Sequence, residues 1–122
     1  MQNDRMSIPV ALDQLREEIA RRGDAAFLVT TGSEGPHVVS ARFGWDGDAL
    51  AASAGSRTAA NVGSSATVCV LWPSATFDDY SLIVDGHARV DGDTVLVEPA
   101  RAVLHRSSSA AGDGPSCIKV LS

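Results

Sequence analysis

The chain is almost without lysine. Of its 10 basic residues only Lys119 is not an arginine, and 15 acidic residues bring the formal net charge to −5. The arginines are scattered, whereas a nucleic-acid-binding surface needs clustered cations to neutralise phosphates, so that class of partner is set aside. Cysteine is equally scarce, with two in 122 residues, too few for the disulfide framework of a small secreted domain. Cys69 lies in the apolar run Val68-Cys69-Val70-Leu71 and reads as an inert core residue; Cys117 sits in a polar tail with nothing nearby to lower its pKa. No apolar run approaches the ~20 residues of a membrane-spanning helix, and the N-terminus is polar rather than signal-like, so no membrane partner and a cytoplasmic location are expected. The three histidines, His37, His87 and His105, stand far apart without ligand-spaced partners, which predicts no metal site. No serine sits in a Gly-x-Ser-x-Gly turn, and most acidic residues fall in turns. Any redox chemistry would therefore have to come from a cofactor.

What is present suits one globular domain: 44% hydrophobic and 20% charged residues, in a length that supports a single core. Ser7-Ile8-Pro9 has the form of a helix start, a capping hydroxyl followed by proline in the first turn. Leu12, Leu15 and Ile19 follow at helical spacing, Glu17/Arg21 and Glu18/Arg22 are pairs four apart, and Gly23 closes the helix. Short β-rich runs come next, predicting strands at 26–31, 37–43, 48–53, 66–72, 80–90 and 94–104. Asp46-Gly47 and Asp91-Gly92 carry the strongest short-range hairpin signal, and Pro99 predicts an edge or a bulge in the last strand. The expected architecture is mainly β: a six-stranded split β-barrel of Greek-key type, with an N-terminal helix and a short inserted helix. Residues 1–106 form the domain in this reading, and 107–122 a flexible Ser/Ala/Gly-rich tail.

The segment Ala51-Ala52-Ser53-Ala54-Gly55-Ser56-Arg57-Thr58 carries the functional signal. It reads as a strand, a glycine turn and the start of the inserted helix. Helix N-termini present unpaired N–H groups and the positive end of the helix dipole, so they attract phosphate. Arg57 can add a bidentate donor and Thr58 a hydroxyl, while the small residues before the turn would let a ligand approach the backbone. The competing reading makes Ser56 a plain cap on a connecting helix, with Arg57 simply solvated.

Taken together, the chain resembles the pyridoxamine 5′-phosphate oxidase-like family of flavin-binding split barrels. The carriers lie between Leu12 and Arg106: Phe27-Leu28-Val29-Thr30-Thr31, Gly35 through Phe43, Ser53 through Asn61, Val68 through Pro73, and Tyr80-Ser81-Leu82-Ile83-Val84-Asp85-Gly86, the last resembling a family strand that ends in an acidic residue and glycine. The resemblance implies a homodimer binding flavin mononucleotide (FMN), or a deazaflavin coenzyme, in clefts between subunits, and hence an oxidoreductase. It places Arg57 and Thr58 at the cofactor phosphate, supported by Ser53 and Ser56, with Asn61 matching the family's helix asparagine. Ser40 and Arg42 would lie near the phosphate or ring edge, and Trp72 or Tyr80 of the partner near the ring. Thr58 replaces a frequent lysine, and the Arg-x-His signature of the true oxidases is missing, so that particular activity is not implied. A non-catalytic flavin- or heme-binding protein and a ligand-free dimer remain the alternatives.

Overall fold

The structure is a computed structural model that describes residues 6–76 and 79–107. In chain order its elements are Ser7–Val10 (β1), a single 3₁₀ turn at Leu12–Gln14, Leu15–Arg22 (α1), Ala25–Gly32 (β2), Gly35–Arg42 (β3), Gly44–Asp46 (β4), Ala49–Ser53 (β5), Ser56–Ser64 (α2), Thr67–Trp72 (β6), Ser81–Asp91 (β7) and Thr94–His105 (β8). All eight strands belong to one antiparallel sheet in the order β3-β2-β6-β7-β8-β5-β4, with β1 added beside β8. The strands at the two ends of this path, β3 and β4, are consecutive in the chain, and β3 touches β5, so the sheet curls back on itself as a half-barrel.

Alternation builds the interior. Ala26, Leu28 and Thr30 of β2 point inward, as do Val68, Val70 and Trp72 of β6, Leu82 and Val84 of β7, and Val95 and Val97 of β8. The two helices close opposite ends of this core. Trp72, at the far end of β6, donates its indole N–H to the Gly23 carbonyl just after α1 at 3.0 Å, whereas α2 leads directly into the start of β6. Leu15 and Ile19 are the buried face of α1, and its carboxylate Glu18 pairs with both Arg21 (2.6 Å) and Arg22 (3.2 Å).

Two expectations need correction. The sheet has eight strands rather than six. The additions are β4, only three residues long, and β1, which occupies the predicted helix start. Ser7-Ile8-Pro9 is extended because β1 pairs with β8 alone, Pro9 opposite Val103, and such an edge tolerates a residue without an N–H. The helix begins only at Leu15, leaving Leu12 half-exposed in the 3₁₀ turn. The Asp-Gly turns also differ in detail. Asp46 and Asp91 are the last paired strand residues, while Gly47 (φ +62°) and Gly92 (φ +66°) take the first loop position. Among the described residues no other type has positive φ, so both hairpins follow the II′ pattern.

The bulge anticipated at Pro99 is present. β7 and β8 change register there, from Asp85 opposite Arg101 to Gly86 opposite Pro99. Asp85-Gly86 is thus not a strand end, since β7 runs on to Asp91. The bulge divides β8: its first half pairs β5 on the side where its second half pairs β1. The proposed tail falls outside the described residues apart from Ser107, as do Phe77 and Cys117.

Candidate functional site

The strand-to-helix turn of the sequence reading is in place: β5 ends at Ser53 and α2 starts at Ser56. Gly55 is the N-cap, in an extended conformation, and no side chain caps the helix. The first helical bond runs from the Ala59 N–H to the Gly55 carbonyl at 2.9 Å, which leaves the amides of Ser56, Arg57 and Thr58 without a helical acceptor. There is no acidic residue in the first turn of α2, whereas α1 carries Glu17 and Glu18 in its own. For a chain with a net charge of −5, a bare helix N-terminus beside an arginine is a local positive spot.

The predicted residues divide into groups. Ser53, Ser56 and Arg57 are exposed at the α2 start. Thr58 is buried and faces the sheet, so its share in holding an anion would be its backbone N–H rather than its hydroxyl. Asn61 is also buried, its amide donating to the Thr30 hydroxyl at 3.0 Å. Its Oδ1 lies 2.3 Å from where a Cβ on Gly32 would stand, so Gly32 has to be glycine for Asn61 to reach β2. Asn61 is therefore the bolt that fixes α2 to the sheet. Asn61→Ala would strand the Thr30 hydroxyl and is expected to lower stability by about 1–3 kcal/mol, measured by urea unfolding.

Ser40 and Arg42 lie on β3 toward its Arg42 end, with Arg42 paired to Asp24 at 2.9 Å. The β4–β5 register, Gly44 opposite Ala51, carries that end toward Ser53. The Arg57 guanidinium leans the other way, to Glu34 at 3.8 Å in the β2–β3 turn. Along β3 that turn and Arg42 are about 23 Å apart, so within one chain Arg42 and the Arg57 guanidinium do not converge. Arg57 and Glu34 instead border an open depression of about 330 Å³ with Gly32, Ser33 and Asn61. Glu34 was not visible as a site residue in the sequence, because only the packing of α2 on β2 brings the turn to Arg57.

Trp72 is not available to a ligand ring: it is fully buried and packs against Phe43, with ring centroids 6.0 Å apart. The small residues of β5 are partly explained by the core, since Ala49 and Ala52 are buried inside the barrel. His37, His87 and His105 lie on separate strands, β3, β7 and β8. Cys69, on the outer face of β6, has its thiol pKa raised by burial and by nearby Asp85, which keeps it protonated.

Outside the barrel the sheet carries a continuous apolar strip. By register Phe27 lies beside Leu71, Leu71 beside Ile83, and Ile83 beside Val103. Val29 stands between Val38 and Cys69 in the adjoining row, with Phe27 and Val38 exposed.

The shape matches solved structures closely enough to name it. A candidate pyridoxamine 5′-phosphate oxidase from Listeria innocua superimposes with a TM-score of 0.60 at 16% identity, covering 80% of this chain and 100% of the other. The chain has the pyridoxamine 5′-phosphate oxidase-like split-barrel fold. A candidate 5-nitroimidazole antibiotic resistance protein from Bacteroides thetaiotaomicron shares this split barrel with a TM-score of 0.59 and 16% identity over 80% of this chain and 85% of the other. HutZ, the heme storage protein of Vibrio cholerae, shares it with a TM-score of 0.57 and 16% identity over 79% and 95%. No family model matches the sequence. Uncharacterized proteins of Mycobacterium bovis and Mycobacterium tuberculosis are each 43% identical over 72 residues, 53% of this split-barrel chain, which spans about half (49%) of their length.

Proposed function

We propose that this chain is a homodimeric split barrel that binds a phosphate-bearing flavin, FMN in the first instance, and serves as an oxidoreductase. The observation that carries the reading is the bare start of α2: no cap, no acidic first turn, and an exposed arginine beside three free amides. Ser53, Ser56, Arg57 and the Thr58 amide would hold the phosphate, and Ser40 and Arg42 a more distant part of the ligand. When bound, the flavin ring supplies hydride transfer; the protein's part is to anchor, orient and keep water out. A deazaflavin coenzyme also carries phosphate and could use the same anchor. The free thiol of Cys69 suits the reducing cytoplasm, where we place the protein.

The partner subunit would cover the outer strip around Phe27, Val38, Leu71 and Ile83, since contiguous exposed apolar surface marks an association site. The cofactor clefts would then form between the subunits.

Titration with FMN, followed by flavin fluorescence and with riboflavin as the phosphate-free control, tests the anchor. FMN is expected to bind more tightly than riboflavin. Arg57→Ala should weaken FMN by about 1.5–3 kcal/mol, roughly 10- to 150-fold, while riboflavin affinity stays unchanged. Glu34→Gln should strengthen FMN about two- to fivefold, because it frees Arg57 from an exposed and weak competitor. Equal affinities for FMN and riboflavin would overturn the phosphate anchor.

A further inference from the structure

The geometry points to a second binding site, for a flat organic cation, in the groove between α1 and the β4–β5 hairpin. The groove opens as a cavity of about 370 Å³ whose apolar walls are Leu12, Leu15, Trp45 and Pro99. Two carboxylates, Asp13 and Asp48, stand on it, and neither makes an ion pair among the described residues. Among the described residues the single cation on it is Arg16, whose guanidinium carbon sits 4.2 Å from the centre of the Trp45 ring. Arg16 also donates to the Gly47 carbonyl at the hairpin tip. Beyond the Arg16–Trp45 pair the groove continues as a second depression of about 250 Å³, walled by Ile19, Ala20 and Phe43.

The chemistry of this groove selects its guest. The face of an indole attracts a cation, most strongly where water is partly excluded. Trp45 already takes one in the form of the chain's own guanidinium, which is planar, weakly hydrated and stacks readily. Two carboxylates against one arginine leave the groove net negative, which disfavours an anionic guest. Arg16 is exposed, so its side chain can swing into water and give up the ring. It is a tethered occupant: a free amidinium, guanidinium or aromatic ammonium of similar width competes with it for the same ring and gains the carboxylates Asp13 and Asp48. This site is separate from the α2 start and does not depend on the flavin reading.

Benzamidinium is the probe, with benzoate and benzyl alcohol as controls of the same shape but opposite or no charge. Tryptophan emission reports binding locally, because Trp72 is fully buried and only Trp45 lines the groove. Benzamidinium should quench saturably at millimolar concentration or below, at least about tenfold more tightly than benzoate, and the signal should vanish in Trp45→Phe. Asp48→Asn should weaken it about threefold to fivefold, and Arg16→Gln should tighten it by a similar factor by removing the competitor. Circular dichroism and the melting temperature establish that each variant folds, and if Arg16→Gln does not, Asp48→Asn carries the test. Benzoate binding as well as benzamidinium, unchanged affinity in Asp48→Asn, or weaker binding in folded Arg16→Gln would each overturn the proposal.

Discussion

Gly86→Ala is expected to lower stability by about 2–4 kcal/mol and the melting temperature by roughly 8–15 °C. The argument needs only the backbone. Gly86 is buried in β7 opposite Pro99, where β8 bulges toward it. A Cβ there would stand 2.5 Å from the Glu98 carbonyl oxygen and 2.8 Å from Val97 Cγ1. The side chain of Val97 has only a full core to turn within, and a paired carbonyl cannot step aside without breaking the ladder, so the bulge itself has to move. Gly63→Ala is the matched control: its Cβ meets nothing within 4 Å, and the helical position should gain about 0.4–1 kcal/mol. Thermal melts of the two variants should move in opposite directions. A Gly86→Ala protein as stable as the parent would show that the β7–β8 bend is soft.

Phe27→Glu is expected to weaken the proposed dimer at least about 100-fold, near 2.7 kcal/mol, so that a dimer at ten micromolar becomes a monomer. Phe27 is 38% exposed and ends the apolar row on its β3 side, between Ser40 of β3 and Leu71 of β6. A carboxylate there would be desolvated without a partner on assembly, yet remain in water in the single subunit. The fold should therefore survive with little change in the melting temperature of the monomer. Thr31→Glu, an exposed residue of the same strand nearer the β2–β3 turn, is the charge control and should leave the assembly closer to intact. Sedimentation velocity on all three proteins decides the matter, and a parent that sediments as a monomer would remove the dimer altogether.

The legible parts of the fold were those governed by local rules. Short β-rich runs announced β2, β6, β7 and β8, and the glycines after Asp46 and Asp91 announced two hairpins. Ser56–Ser64 was legible as an inserted helix because a glycine turn precedes it and small residues fill it. What misled was a motif with two meanings. Ser7-Ile8-Pro9 satisfies a helix cap, but a distant strand, β8, offered its backbone groups a better partner. Of the candidate site, Arg57 could be read from its position at the helix start, and its pairing with Glu34 could not. The inward turn of Thr58 and the Asn61–Thr30 bond were equally hidden, since both are set by how α2 rotates on the sheet. The pairing of Trp45 with Arg16 was hidden as well, since it waits on the packing of α1.

β8 is the hub of the sheet, bonded to β7 along its length, to β5 over its first half and to β1 over its second, yet it is the last of the described strands to leave the ribosome. While the ribosome is still making it, the emerging polypeptide holds three strands that lack their common neighbour. Assembly therefore has to wait for translation to pass residue 105, and a ribosome stalled before that point would display unsatisfied edges to chaperones and proteases instead of a partly built domain.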